Sequence, residues 1–123
     1  MSKQILVIED HEDNRRILRD LLTSAGFDVL EATTGEDGVT LAEMRRPDLI
    51  LMDIQLPGLD GYEATRRIKA NPTLHQIPII AVTSYALSGD EAKAKEVGCD
   101  GYVAKPFSPR ALLAKVREYL PEG

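Results

Sequence analysis

A single cysteine, Cys99, leaves this 123-residue chain without the means for an internal disulfide or a thiolate metal site. No helix-terminal basic setting surrounds it, so Cys99 is expected to act as a small buried hydrophobe rather than a redox centre. No apolar run approaches the roughly 20 residues of a membrane-spanning helix. Ile5 to Ile8, after Met-Ser-Lys-Gln, is too short for a secretory signal. Basic residues number 15 against 20 acidic ones, for a net charge of −5, and they are scattered. Without a dense basic stripe, direct binding to nucleic acid is not expected. Internal linkers, low-complexity tracts and repeats are missing too. What remains is ordinary globular composition, 43% hydrophobic and 28% charged, with the length of one domain spanning 1–123. The cytoplasm is the expected compartment.

Three short runs rich in Ile, Leu and Val stand out: Ile5 to Ile8, Leu49 to Met52 and Ile79 to Val82. Such runs predict strands buried on both faces of a parallel sheet. Asp28 to Ala32 and Tyr102 to Ala104 are weaker, as edge strands are. Helical patterns fill the gaps. Ile17, Leu18, Leu21, Leu22 and Ala25 repeat at helical spacing up to Gly26, and Gly35 to Arg46 forms a less amphipathic helix before Pro47. Gly61 to Ala70 is a third helix. Ser88-Gly-Asp-Glu91 reads as a capping box for a fourth that stops at Gly98. Ser108-Pro109 opens a fifth, with Leu112, Leu113, Val116 and Leu120 as its stripe.

Five strand–helix repeats call for an α/β fold: a doubly wound, five-stranded parallel sheet with right-handed crossovers and helices on both faces. With the three apolar runs central, the expected strand order is 2-1-3-4-5, the flavodoxin-like order. Sites in such sheets form at the carboxyl ends of the strands, where the order reverses. There the first strand ends in Glu9-Asp10, the third in Asp53, the fourth in Thr83-Ser84 and the fifth in Lys105-Pro106. Taken singly these are bland: a strand-end dipeptide, a turn-starting aspartate, a satisfied hydroxyl, a surface lysine. Together, on one rim, they carry chemistry. Clustered carboxylates repel unless a cation intervenes, and Mg2+ suits a hard oxygen site that keeps its waters. An aspartate beside Mg2+ and a lysine is placed for in-line attack on phosphorus.

At these residues the chain resembles the receiver domain of two-component response regulators. The matching blocks are ILVIEDHEDNR, DLILMDIQLPGLDGYEATRRIK, IIAVTSYA and GYVAKPF, in order and at receiver-like spacing. Single-domain regulators of cell-cycle or developmental type, and receiver modules of hybrid kinases, are the subtypes it resembles most. The resemblance implies that Asp53 is the phosphoacceptor, taking the group from a sensor histidine kinase or a histidine phosphotransfer protein. It implies Mg2+ held by Asp10, Asp53 and the backbone carbonyl of Gln55, with Glu9 acting through a metal-bound water. Many receivers have aspartate at that position, so the reach of Glu9 is open. Lys105 would contact the phosphate, its bond to Pro106 would be cis, and Thr83 and Tyr102 would be the switch hydroxyl and aromatic. The surface of helix four, strand five and helix five would then change to control partner binding or relay phosphate. Gln55 and Tyr85 would flank the phosphate, the first either ordering or blocking an attacking water.

His11 and His75 read as solvated loop residues, His11 near enough to the acidic rim to influence it. Helix four, with Ala92, Ala94 and Val97 among charged residues, has little apolar area with which to dock. The expected function is a self-acting switch that turns over no outside metabolite. A haloacid-dehalogenase-type phosphohydrolase would need a DxD motif closing the first strand, whereas Asp10-His-Glu12 stands there, and a cap domain is lacking. A flavodoxin-like binding module would need a Gly-rich phosphate loop, which follows no strand. No output domain is expected. Met1 directly before the first strand, and the short tail Pro121-Glu-Gly123, favour a single-domain regulator over an excised module of a hybrid kinase or multidomain regulator.

Overall fold

The computed structural model describes residues 2–56, 58–83 and 90–120, Asp90 by its backbone alone. Five strands alternate with five helices: β1 (Gln4–Ile8), α1 (Glu12–Ser24), β2 (Asp28–Ala32), α2 (Gly35–Arg45), β3 (Leu49–Asp53), α3 (Gly61–Ala70), β4 (Ile79–Thr83), α4 (Asp90–Val97), β5 (Gly101–Ala104) and α5 (Pro109–Tyr119). All neighbouring strands are parallel, in the order β2-β1-β3-β4-β5. The expected order is the one observed.

Strand alternation divides the interior into two cores. Leu6, Ile8, Ile50, Met52, Ile79 and Ala81 pack on one face with Ala42, Ala64, Ile68, Ala94 and Val97, which belong to α2, α3 and α4. Ile5, Val7, Leu49, Leu51, Ile80 and Val82 pack on the other with Leu18, Leu22, Leu112 and Val116 of α1 and α5. β3 and β4 are buried along their whole length, as their unbroken apolar runs require. Among the described side chains of α4 only Ala94 and Val97 are buried, and Ala92 faces outward. Its attachment is thinner than its three apolar residues imply.

Helix ends follow local chemistry. Thr34, Asp60 and Ser108 each accept a backbone N–H three residues on, at 2.9 to 3.0 Å. α2 ends one residue earlier than its pattern predicts, because Arg46 takes the left-handed conformation (φ 46°) ahead of Pro47. The Ser88-Gly89 half of the expected α4 capping box lies outside the described residues. Gly61 allows the one close approach that matters to the site. A Cβ there would collide with the Asp53 carbonyl and the Ile54 backbone, so glycine lets α3 start against the end of β3. Gly61→Ala is expected to destabilise the fold by about 1–3 kcal/mol, read from urea unfolding. An unchanged midpoint would mean this junction has slack.

At the opposite, amino-terminal end of β4, Lys69 from α3 binds three oxygens. They are the His75 carbonyl (3.0 Å), the Ile77 carbonyl (2.8 Å) and Asp100 Oδ2 (2.9 Å). The same Asp100 oxygen accepts the Ile79 N–H at 2.9 Å, and Tyr119 donates to the Asp100 carbonyl at 2.6 Å. Leu74, in the α3–β4 connection, is fully buried and closes the core there. No helix among the described residues is long and apolar enough to cross a membrane.

Candidate functional site

The carboxyl ends of β1 and β3 lie side by side, with Ile8 opposite Met52. The residues that follow are therefore carried to a common rim. Glu9, Asp10, His11 and Asp53 each bring one potential ligand atom to within 4.8 Å of the others. β4 adds Thr83 at the next position, since Asp53 is in register with Val82. β5 adds Lys105, whose N–H donates to the Thr83 carbonyl at 2.7 Å. The Lys105–Pro106 peptide bond is cis. Glu9, Asp53 and Thr83 are all buried, at 1%, 3% and 0% exposure. Two carboxylates so deep in one site demand partners.

Lys105 supplies the first. Its Nζ lies 3.0 Å from Glu9 Oε1 and 3.8 Å from Asp53 Oδ1, so it is held more closely by Glu9. The other Glu9 oxygen accepts the His11 N–H at 3.2 Å. The Gln55 N–H donates to Asp53 Oδ1 at 3.1 Å. The Glu9 and Asp53 carboxyls lie close enough in this cluster to influence each other's protonation. Burial together with the neighbouring Glu9 carboxyl and its charge pushes Asp53 up to about 7, against the pull of Lys105. Burial raises Glu9 as well, but the neighbouring Asp53, together with its bonds to Lys105 and the His11 N–H, outweighs this and holds it below the ordinary range.

Asp10 differs from both. Its Oδ1 is screened from solvent yet makes no hydrogen bond among the described residues. A buried carboxylate oxygen without a donor is costly unless a cation meets it. Three carboxylates with one oxygen orphaned are a donor set suited to a hard divalent ion. Beside them, an apolar groove of about 540 Å3, lined by Ile17, Leu18, Pro106 and Phe107, opens onto Glu9 and Lys105.

The structure thus gathers Glu9, Asp10, Asp53, Thr83 and Lys105, with Gln55 half-buried two residues beyond Asp53. Tyr102 is half-buried on β5 and packs against the α2–α4 core. Tyr85 lies outside the described residues. Two features were missed from sequence. Arg15 donates to the Glu9 carbonyl (3.2 Å) and to Glu31 Oε1 (3.1 Å), bracing the loop that carries the acidic residues. Glu9 bonds Lys105 directly, for which the extra methylene of glutamate over aspartate was the available signal. Cys99 is buried, and burial raises its thiol pKa.

A five-stranded parallel sheet of this order, with buried carboxylates facing a lysine and a hydroxyl across adjacent strand ends, defines a phosphorylation-switched signalling domain. The chain belongs to the response regulator receiver domain family, whose model matches residues 5–117. It is 40% identical over 123 residues to the polar-differentiation response regulator DivK of Brucella anthropi, covering all of both chains. It is also similar to the receiver domain of the sensor histidine kinase PA1611 from Pseudomonas aeruginosa PAO1. That match has 38% identity and a TM-score of 0.92, over 98% of this chain and 99% of that one, and a magnesium ion is coordinated in that protein's active-site cleft. A third relative is the signal receiver domain of a histidine kinase from Syntrophus aciditrophicus. It shows 30% identity and a TM-score of 0.91, over 98% of this chain and 92% of that one. The protein is a receiver in phosphorelay signalling, a phosphorylation-state switch rather than a metabolic enzyme.

Proposed function

We propose that Asp53 accepts a phosphoryl group from the phosphohistidine of a sensor kinase or phosphotransfer protein. The observation that carries this reading is the burial of Asp53 between an acidic cluster and Lys105. An Asp53 oxygen attacks phosphorus in line, and the phosphorus–nitrogen bond breaks with its electron pair leaving on the donor imidazole. Asp10, Asp53 and the Gln55 carbonyl would hold Mg2+, and Glu9 would act on it through water. When bound, Mg2+ sets positive charge against the phosphoryl oxygens. Lys105 exchanges its contact with Glu9 for one with the phosphoryl group. The groove beside Lys105 is where the donor histidine enters, with the apolar side of its helix against Ile17 and Phe107.

Thr83 donates a hydrogen bond to the phosphoryl group, and Tyr102 turns inward as it does so. The α4/β5/α5 face is the surface that changes and binds downstream proteins. The shallow burial of α4 supports this, since a thinly docked helix is biased by a modest energy. A pocket of about 210 Å3 between α4, β5 and α5, lined in part by Lys95, Tyr102 and Lys115, gives that face relief. Similarity to both a polar-differentiation regulator and a sensor kinase's receiver favours a place in a kinase-driven pathway. Incubation with acetyl phosphate and Mg2+ is expected to add one base-labile, acid-stable phosphoryl group, detected by intact mass. EDTA is expected to abolish the labelling. Labelling that survives chelation would overturn the metal assignment.

A further inference from the structure

His11 is not used by the phosphoryl chemistry, yet its ring belongs to the cluster. It occupies the N-cap position of α1 but makes no side-chain cap hydrogen bond. Although the side chain is 69% exposed, its Nδ1 turns toward the carboxylates, 3.3 Å from Asp10 Oδ1 and 3.5 Å from Glu9 Oε2. Asp10 Oδ1 is the solvent-screened oxygen that has no hydrogen bond among the described residues. At 3.3 Å the ring nitrogen sits beside this oxygen without donating to it. The imidazole nitrogen and this carboxylate oxygen share one locus with ligand atoms of Glu9 and Asp53. An imidazole nitrogen among carboxylate oxygens adds a second ligand type, and this changes which cation the locus suits.

Oxygen-only sites suit Mg2+, which strips its waters reluctantly. Imidazole suits borderline first-row dications, whose affinity for a mixed nitrogen and oxygen site rises toward nickel and copper. We propose that His11 supplies a nitrogen ligand beside Asp10, so that the cluster takes borderline transition-metal dications in preference to Mg2+. This rests on the reading of the cluster as a metal site. Glu9, one methylene longer than aspartate, directs its Oε1 to Lys105, 3.0 Å away, and its Oε2 toward His11. A transition-metal ion held there competes directly with Mg2+, making phosphorylation sensitive to the balance of the two.

The test uses the two histidines of the chain, His11 and His75, one at the cluster and one at the opposite end of the sheet. Mg2+ and Ni2+ are titrated separately by calorimetry into wild type, His11→Ala, His75→Ala and Asp10→Asn. Wild type is expected to bind Ni2+ about tenfold tighter than Mg2+ or better, and His11→Ala to lose about that factor for Ni2+ alone. Histidine 15N spectra with Zn2+ are expected to show a shift in the His11 ring and none in that of His75. The inference is overturned if His11→Ala leaves Ni2+ binding intact or weakens both metals equally, or if the loss follows His75→Ala. Loss of both metals in Asp10→Asn keeps the underlying metal-site reading standing whatever His11 does. Retention of both metals in that variant brings the reading and the inference down together.

Discussion

Asp53→Asn is expected to abolish labelling by acetyl phosphate while making the metal-free protein more stable. The two effects have one origin. The carboxylate proposed as nucleophile is buried in the cluster with Glu9, and an amide neither attacks phosphorus nor repels that neighbour. Lys105 stays compensated because its closer partner is Glu9, at 3.0 Å. Relief of the buried charge is expected to raise stability by about 1–3 kcal/mol at neutral pH, measured by urea unfolding in EDTA. Labelling of the variant at the wild-type rate would move the acceptor elsewhere. A loss of stability would show that Asp53 contributes more through its bonds than it costs by its charge.

In the metal-free protein, stability is expected to fall as pH rises from about 4 to about 7, the reverse of an ordinary paired carboxylate. Asp53 begins to release its proton near 3.8 when unfolded but keeps it to about 7 when folded. Within that window the folded state binds more protons, so raising pH favours unfolding. At about 1.4 kcal/mol per pH unit the ceiling is about 4 kcal/mol. Glu9 works in the other direction: its lowered pKa contributes stability above 4.5 that is lost as pH falls below it. Saturating Mg2+ would compete with the proton on Asp53, so the stabilisation it confers should grow with pH across the same window. Thermal melts from pH 4.5 to 8, with Mg2+ and with EDTA, check this. A metal-free melting temperature that is flat in wild type, or that slopes identically in Asp53→Asn, would refute it.

The fold was legible because its strands announce themselves. Ile79 to Val82 has no polar position, and only a strand covered on both faces tolerates that. Strand ends then put Asp10, Asp53, Thr83 and Lys105 on one rim by pattern alone. Side-chain reach was less legible. That Lys105 prefers Glu9 to Asp53, and that Arg15 braces the Glu9 carbonyl, depend on distances that periodicity does not encode. Leu74 carries no helical or strand pattern, so its burial follows only from how the α3–β4 connection folds back. The left-handed Arg46 shortened α2, where a glycine would have marked the stop in advance.

The bond set around Lys69 fixes one end of the molecule. Through Asp100 it joins the end of α3, the start of β4 and the α4–β5 turn. The Cys99 N–H binds the Ala94 carbonyl at 2.9 Å, so the trailing end of α4 is part of the same knot. If phosphorylation pushes at the other end of the sheet, beside Thr83, it would meet a helix pinned at its far end. Such a helix is expected to pivot rather than slide. The Lys69–Asp100 knot would be its fulcrum, and the length of α4 would turn a small displacement at the reactive rim into an angular one.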